Sequence, residues 1–455
     1  MTILTAPVKP FLDWTTAAAE TVEHTRRLVR IDTSNPPGNE LPCVLLVRDI
    51  LLQNGFPAGD IQVLESAPGR ANLVARLRGD GSKRPLLLSG HLDVVPVERA
   101  HWSHDPFGGE IDAGCIWGRG ALDMKGFVSM YLETFLQAFR QGTKMKRDLI
   151  FAAIADEENG FTHGSKFLVS QHRALIEAEY GLTEGGAITI HMGKLRAYPI
   201  QLAEKGITWL RMTAEGEPGH GSMPHSHNAV LHLAQALERI RRAGHLPMHL
   251  TPTFLRMIDA IAAQLPFPTK LVGPLLHNRT AASLVLKLVP ENSLRLLGPL
   301  FYNTVTPTVL KAGGKTNVIP SLAEAQLDCR TLPGQTSEDV IRELQKVVGP
   351  EVKLEILTSS TGTEFSTDSE LYRLMVKATQ AMDPGGLIFP MLMMGATDAC
   401  QYQNAGIKMY GFTPGLLPKD FPVASLGHGH DERLPLSYIE SGLPVLWQVM
   451  EQICA

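Results

Sequence analysis

Side chains that could bind metal ions or move protons follow an apolar run in the middle of the sequence. The run from Leu149 to Ala155 ends in three consecutive carboxylates, Asp156, Glu157 and Glu158. Adjacent carboxylates repel one another and resist the loss of water, so the cluster is unfavourable unless cations lie among its members. The cluster therefore predicts that other parts of the chain supply further metal ligands.

A second pair of donors lies in the stretch "SGHLDVVP". His91 and Asp93 are two residues apart, so their side chains would point to the same face of a strand. A carboxylate at that place can accept the second N–H of an imidazole, which leaves the other nitrogen free for a metal ion. Taken alone, an H-x-D sequence at the end of a strand is more often a structural feature than a metal-binding one.

Further donors stand in glycine-rich segments. Asp123 is flanked by glycines in "GRGALDMKGF", where it could also cap the helix that follows. Glu184 follows another short apolar run, and His428 and His430 lie in the loop "LGHGHDERL". Imidazole and carboxylate ligands together suit Zn²⁺, and two bridged ions would make close carboxylates favourable.

Signatures of other chemistries are incomplete or absent. The stretch "GGKT" at 313–316 resembles the end of a phosphate loop, but Val309 stands where the first glycine belongs. The sequence contains neither G-x-S-x-G nor H-E-x-x-H, and "GRGALD" lacks the third glycine of a dinucleotide-binding fingerprint. Nucleophilic serine and nucleotide chemistry are therefore not indicated.

The composition is that of a soluble globular protein. With 46 acidic and 42 basic residues the net charge is -4, which gives no electrostatic reason to expect nucleic acid or an anionic membrane as a partner. The five cysteines are scattered and odd in number, which predicts reduced thiols. Without a signal-peptide pattern or a long apolar stretch, we expect a cytoplasmic protein.

The order of elements predicts an α/β fold with two domains. Up to residue 198, helical segments alternate with short β-rich runs, which predicts a mainly parallel sheet with helices on both faces. Residues 199–358 read as a smaller α+β domain inserted into the first, beginning with a strand pair in "PIQLAEKGITWLRMTAEG". Residues 359–455 complete the first domain. A proline-punctuated apolar segment near 245–300 has no clear place in this scheme.

Nine motifs in order resemble the M20 family of dinuclear zinc metallopeptidases and aminoacylases. They are "GHLDVVP", "WGRGALDMKG", "ADEENG", "LTEGG", "GEPGHGSMPH", "GGKTNVIP", "LDCRTLPG", "GATDA" and "HGHDER". The long apolar segment of the inserted domain looks more like the carboxypeptidase S and PM20D1-type aminoacylase branch. The resemblance implies a catalytic α/β domain interrupted by a lid that also dimerises.

The resemblance also implies a role for each candidate residue. His91 and Glu184 would bind one ion, Glu158 and His430 the other, and Asp123 would bridge the two ions. In the family, the bridging aspartate is often followed by a cis peptide. Asp93 matches the residue that orients the histidine ligand, and Glu157 matches the general base. For the inserted domain and its neighbourhood, the matching residues are His220 as the oxyanion-binding residue of a homodimer, Asn317 and Arg330 as substrate-binding residues, and Gly395 and Thr397 in a loop that lines the substrate pocket.

The expected activity is hydrolysis of an amide bond next to a free carboxylate, in an N-acyl-L-amino acid with a bulky hydrophobic acyl group. Two divalent ions are the expected cofactor, with Zn²⁺ preferred and Co²⁺ or Mn²⁺ also compatible with these ligands. A carboxypeptidase or dipeptidase acting on short peptides is the alternative. A protein that binds metal or a small molecule without catalysis is a third interpretation.

Overall fold

The computed structural model describes residues 12–267, 269–290 and 297–455. Its helices are α1 (Trp14–Val29), α2 (Leu41–Gln53), α3 (Lys125–Arg140), α4 (Ser165–Gln171), α5 (Arg173–Ile176), α6 (Ala229–Ala243), α7 (Pro252–Ala262), α8 (Val272–Leu275), α9 (Arg279–Leu286), α10 (Ser337–Val348), α11 (Glu370–Met382), α12 (Ala399–Tyr402), α13 (Val423–Leu426) and α14 (Leu436–Cys454). Its strands are β1 (Ile61–Ala67), β2 (Arg70–Leu77), β3 (Leu86–His91), β4 (Glu110–Asp112), β5 (Cys115–Trp117), β6 (Leu149–Ile154), β7 (Tyr180–Thr183), β8 (Ile190–Met192), β9 (Leu195–Glu204), β10 (Gly206–Glu215), β11 (Gly219–His220), β12 (Thr304–Ala312), β13 (Val318–Ile319), β14 (Leu322–Thr331), β15 (Val352–Ser360), β16 (Thr363–Glu364), β17 (Leu387–Met393), β18 (Lys408–Gly411) and β19 (Arg433–Pro435).

The chain forms two compact units. The first unit contains the described residues up to Gln201 together with Phe365–Ile388 and Thr397–Ala455, and the second contains Leu202–Glu364 and Phe389–Ala396. The domain ranges expected from the sequence, 1–198, 199–358 and 359–455, stay predictions. The structure assigns the short stretch Phe389–Ala396 to the second unit, whereas the sequence pattern assigned it to the first domain.

The first unit is built on a mixed sheet whose centre is parallel, which confirms the predicted fold class. Strands β6, β3, β7 and β18 lie side by side in parallel. Antiparallel strands border them, with β2 and β1 on one side and β9 on the other. The central strands are fully buried apolar runs, as expected for parallel strands that are covered on both faces.

Helices cover both faces of this sheet. Ile150 belongs to a buried cluster that also contains residues of α4, α5 and α12. The next residue of the strand, Phe151, points to the opposite face, where its ring lies 5.9 Å from that of Phe135 in α3. Alternation along β6 therefore divides the core into two layers.

The parallel strands also determine where polar side chains gather. His91, the last residue of β3, is in register with Ile154, the last residue of β6. Strand β7 ends at Thr183, one residue before Glu184. Because the carboxyl ends of parallel strands meet at one edge of a sheet, the residues that follow these three strands lie close together.

The second unit is an antiparallel sheet in the order β12, β14, β10, β15, with helices on one face. Every second residue of β10 is buried, and these residues form a core with α6 and α10. Helix α10 begins with a capping box in which Thr336 and Asp339 exchange side-chain and backbone hydrogen bonds. The prediction that the two strands at the start of this region pair with each other is wrong. Strand β9 pairs with β18 and β8, whereas β10 pairs with β14 and β15.

The apolar segment near 245–300 contains α7, α8 and α9 in its described part. Together with α6 and α10, it lines a mostly apolar cavity of about 690 Å³ in the second unit.

None of the five cysteines forms a disulfide bond. None of the helices in the described ranges is long and apolar enough to cross a membrane.

Candidate metal centre

His91 is held so that one ring nitrogen faces a group of carboxylates. Its Nδ1–H donates to the backbone oxygen of Asp93 at 2.9 Å, which leaves Nε2 unprotonated in the neutral ring. Nε2 lies 3.2 Å from Asp123 Oδ1 and 3.6 Å from Glu184 Oε2. The side chain is only 1% exposed, so its orientation is fixed by packing as well as by hydrogen bonding.

The buried carboxylate of Asp93 organises the turn that carries the acidic cluster. Its oxygens accept the backbone N–H groups of Glu157 at 3.1 Å and Glu158 at 3.2 Å. One oxygen also lies 3.6 Å from His91 Nδ1. Burial by itself would raise the pKa of Asp93, but the contact with His91 and the hydrogen bonds from Asn35 and the backbone of Glu157 outweigh it and lower the pKa. Asp93 thus links the orientation of the histidine to the position of the two glutamates.

Asp123 lies between two imidazoles. It follows β5 in a glycine-rich loop, and the Asp123–Met124 peptide is cis. Its Oδ1 faces His91 Nε2 at 3.2 Å, and its Oδ2 faces His428 Nε2 at 3.2 Å. Burial would raise the pKa of Asp123, yet the contacts with His428 and His91 lower it well below its ordinary value. One carboxylate therefore faces both halves of the candidate site, as expected for a bridging ligand.

The second imidazole of the site comes from His428, and the structure does not bring His430 there. His428 Nε2 lies 3.0 Å from Glu158 Oε2, and His428 has a φ of +58°. The ring of His430 instead stacks on His101, with centroids 5.0 Å apart and planes 8° apart. The two histidines are separated by one glycine, and motif position alone favoured His430. The geometry selects His428 for the proposed ligand set in place of His430.

The charged forms of the remaining carboxylates are disfavoured mainly by burial, and further by one another's charge. Burial and the nearby charge of Glu184 raise the pKa of Glu157 well above its ordinary value. Burial, with contributions from Asp123 and Glu158, raises the pKa of Glu184 to about 7. The pKa of Glu158 is raised as well, again mainly by burial. Raised carboxylate pKa values in a cleft indicate negative charge without enough positive compensation, which bound cations would supply.

The donors fit a pair of divalent ions. Ligand atoms of His91, Asp123 and Glu184 all lie within 4.8 Å of one another, as do those of Asp123, Glu158 and His428. The two groups share Asp123. Each offers one imidazole nitrogen and carboxylate oxygens, the mixture that Zn²⁺ accepts. A third group of the same size joins His91, Glu157 and Glu158, so the candidate base lies beside both sets.

Four residues without an assigned role connect this site to the protein interior. Asn35 donates from one amide nitrogen to Asp93 at 2.8 Å and to Asp156 at 2.9 Å. Asp156 also pairs with Arg70 at 2.8 Å, and Arg70 pairs with the buried Glu40. Asp156 thus supports the turn through an ion pair, and it belongs to none of the candidate ligand groups among the described residues. Asn35 stands in the stretch "IDTSNPPGNE", directly before two prolines, and it was not among the residues selected from the sequence.

The candidate substrate-binding residues of the second unit lie on two pairs of strands. His220 in β11 is opposite Val318 in β13, and the N–H of Gly221 donates to the carbonyl of Asn317 at 2.9 Å, so His220 and Asn317 are neighbours. His220 is exposed, and its Nδ1 lies 2.7 Å from Ser222 Oγ.

Arg330 lies in β14, where its guanidinium already binds Asp328. Its Nε and Nη2 donate to the two carboxylate oxygens at 2.8 and 3.1 Å. Nη1 has no hydrogen bond to any residue that the structure describes. Only part of the guanidinium is therefore available to a substrate.

The loop expected to line the substrate pocket contributes to both units. Gly395 belongs to the second unit and Thr397 to the first. Thr397 Oγ1 accepts the N–H of Ala399 at 3.2 Å at the start of α12. The neighbouring Asp398 is buried and accepts a hydrogen bond from Ser165 at 2.5 Å, and burial raises the pKa of Asp398 to about 7.

Comparison with known proteins gives consistent matches. The family described as "Peptidase family M20/M25/M40" matches residues 87–452. The chain is 31% identical to "Probable carboxypeptidase S-like 2" of Dictyostelium discoideum, over 80% of this chain and 71% of that protein. It is 29% identical to "N-fatty-acyl-amino acid synthase/hydrolase PM20D1" of Xenopus tropicalis, over 82% of this chain and 73% of that protein. The fold is similar to that of the M20 family metallo-carboxypeptidase Sso-CP2 from Sulfolobus solfataricus, with a TM-score of 0.71 at 16% identity, over 95% of this chain and 98% of that one.

Proposed function

Because the chain belongs to peptidase family M20/M25/M40, whose members are hydrolytic enzymes, we propose that it hydrolyses an amide bond next to a free carboxylate, using two divalent metal ions. The observation that carries this proposal is the pair of ligand groups that share Asp123, with Glu157 beside them. The proposed ligands are His91 and Glu184 for one ion, Glu158 and His428 for the other, and Asp123 for both.

In the proposed mechanism, residues of the chain bind the ions, orient the ligands and transfer a proton. When bound, the ions would polarise the substrate carbonyl and favour ionisation of water near neutral pH. Glu157 accepts the proton of the attacking water and later passes it to the leaving amine. Asp93 holds both the ring of His91 and the backbone of Glu157, so the base and the first ligand keep a constant separation. In the proposed homodimer, His220 stabilises the oxyanion.

The proposed substrate is an N-acyl-L-amino acid with a bulky hydrophobic acyl group. Similarity to a relative named for N-fatty-acyl amino acids supports an apolar acyl group. Similarity to a carboxypeptidase S-like protein supports the second candidate, a carboxypeptidase or dipeptidase that acts on short peptides. Both candidates need a group that binds a carboxylate.

A substrate panel separates these two candidates. We expect the Zn²⁺-loaded protein to hydrolyse N-acyl amino acids with kcat/KM rising with acyl chain length, because each buried methylene contributes about 0.8 kcal/mol. The measurement is release of the free amino acid from a series of N-acyl chain lengths, with a Gly-Leu dipeptide for comparison. Faster turnover of the dipeptide than of every N-acyl substrate would favour the peptidase. Absence of hydrolysis across the panel in protein with two bound ions would contradict both.

Replacement of Arg330 tests recognition of the substrate carboxylate. We expect Arg330→Gln to raise KM roughly 10- to 100-fold with a smaller change in kcat, because a hydrogen bond between charged groups is worth about 1.5–3 kcal/mol. The matched control is Arg211→Gln in β10, since Arg211 also pairs with a carboxylate, that of Glu324 at 3.2 Å. Equal effects of the two substitutions on KM would show that Arg330 acts only through the stability of the sheet.

A further inference from the structure

A single buried carboxylate binds several backbone N–H groups of the loop that carries Asp123. Glu432 is fully buried, and its Oε1 accepts three backbone N–H groups. The donors are Gly120 at 3.0 Å, Leu122 at 2.8 Å and Asp123 at 2.9 Å. Three hydrogen bonds to one ionised oxygen fix the path of this loop far more strongly than neutral turn contacts would.

The other oxygen of Glu432 ties the same loop to the segment that carries His428. Arg119 Nη1 donates to Glu432 Oε2 at 2.5 Å, and Arg119 Nη2 donates to the carbonyl of Gly429 at 3.0 Å. The carbonyl of Glu432 also accepts the N–H of Gly118 at 2.9 Å. Further along, β19 pairs with β5. Residues 118–123 and 428–432 are therefore joined through one buried ion pair and several backbone contacts.

These contacts surround the point where the two proposed metal sites meet. Asp123 is the ligand common to both groups, and His428 belongs only to the second. The contact between His428 Nε2 and Asp123 Oδ2, at 3.2 Å, spans the two segments that Glu432 joins. A shift of either segment would change the distance between the shared ligand and the second imidazole.

We propose that Glu432 is a positioning residue, which with Arg119 sets the separation of Asp123 from His428 and thereby the retention of the second metal ion. This inference rests on the proposed two-ion function. Glu432 does not touch the reacting atoms, and it acts through the backbone of the two ligand-bearing segments. An ordinary structural ion pair would stabilise the fold without changing how tightly the ions are held.

The test measures loss of metal directly. The Zn²⁺-loaded protein and its Glu432→Gln variant are mixed with a chromophoric chelator in the absence of substrate, and the rates of Zn²⁺ release are compared. Glutamine keeps an oxygen acceptor but loses the charge that holds Arg119. We expect release of one of the two ions to be roughly 10- to 100-fold faster, the range found for partners that support metal ligands. A second variant, Arg119→Lys, should change release in the same direction, because lysine cannot reach Glu432 and Gly429 together in the same geometry.

The matched control is Asp383→Asn, which removes a buried carboxylate from an ion pair elsewhere in the first unit. Asp383 accepts hydrogen bonds from Arg196 at 2.5 and 2.6 Å and from Tyr198 at 2.7 Å. We expect Asp383→Asn to lower thermal stability without accelerating release of Zn²⁺. Equal acceleration by the control, or unchanged release in both Glu432→Gln and Arg119→Lys, would overturn the positioning role alone. A wild-type protein that binds fewer than two ions would overturn the proposed function together with it.

Discussion

Substitution of Glu157 by glutamine should abolish most turnover while the protein keeps both metal ions. We expect kcat to fall by roughly 10²- to 10⁴-fold, the usual contribution of a positioned general base. Glutamine has the shape of glutamate but cannot accept the proton of the attacking water. The backbone N–H of Glu157, which donates to Asp93, is unchanged by the substitution. Metal content, measured by elemental analysis, should therefore remain at the wild-type value.

The position of Glu157 explains why the effect should fall on kcat. Its carboxylate lies with that of Glu158 and the imidazole of His91 in one group of ligand atoms, but it is absent from the two groups that share Asp123. Burial and the nearby charge of Glu184 raise the pKa of Glu157. A group that transfers a proton acts on the transition state, so its loss lowers kcat and kcat/KM together.

The matched control for this prediction is Glu177→Gln. Glu177 is an exposed carboxylate of the same unit, with a side chain 61% exposed and a distant partner in Arg84 at 3.9 Å. It should retain wild-type kcat. If Glu157→Gln also stayed within about tenfold of wild type, below the range typical of a general base, another group would have to accept the proton.

The histidines of the C-terminal loop give the second large effect. We expect His428→Ala to lose one metal ion and to lower kcat/KM by more than about 100-fold, since removing even a supporting partner of a metal ligand costs roughly 10- to 100-fold in affinity or activity. His430→Ala should keep two ions and activity close to wild type, because its ring packs on His101. The two residues lie in the same loop, so each substitution is the control for the other.

The structural reason is the orientation of the two imidazoles. His428 Nε2 lies within 3.2 Å of carboxylate oxygens of both Asp123 and Glu158. Its positive φ is uncommon for a residue other than glycine, and such conformations often occur at functional sites. Loss of metal from His430→Ala with retention in His428→Ala would restore the assignment made from motif position.

The fold class was accessible from the sequence because its signals are local. The apolar runs of β3 and β6 are buried on both faces, and each is followed by polar residues that the parallel arrangement brings to one edge. Pairing partners are not local. The runs that became β9 and β10 are separated only by Lys205, and nothing in their alternation shows that they pair with different strands.

The same division holds within the candidate site. Residue type and position, after an apolar run or in a glycine-rich loop, marked His91, Asp123 and Glu184 as candidate ligands, because parallel strands converge at their carboxyl ends. The choice of Glu158 from the acidic cluster came from the resemblance to the family. Glu432 carried no such signal. In the sequence "HGHDER" it cannot be distinguished from an exposed acidic residue, although in the structure it is buried and accepts backbone N–H groups.

By itself, the sequence determined the chemistry available: a mixed imidazole and carboxylate set on an α/β framework. The tertiary structure decided which histidine of "HGH" faces that set, what Asp156 pairs with, and how one carboxylate joins two distant loops. The type of each residue can be read directly from the sequence. The direction of a side chain depends on backbone torsions and on contacts between residues hundreds of positions apart, as for Arg119 and Glu432.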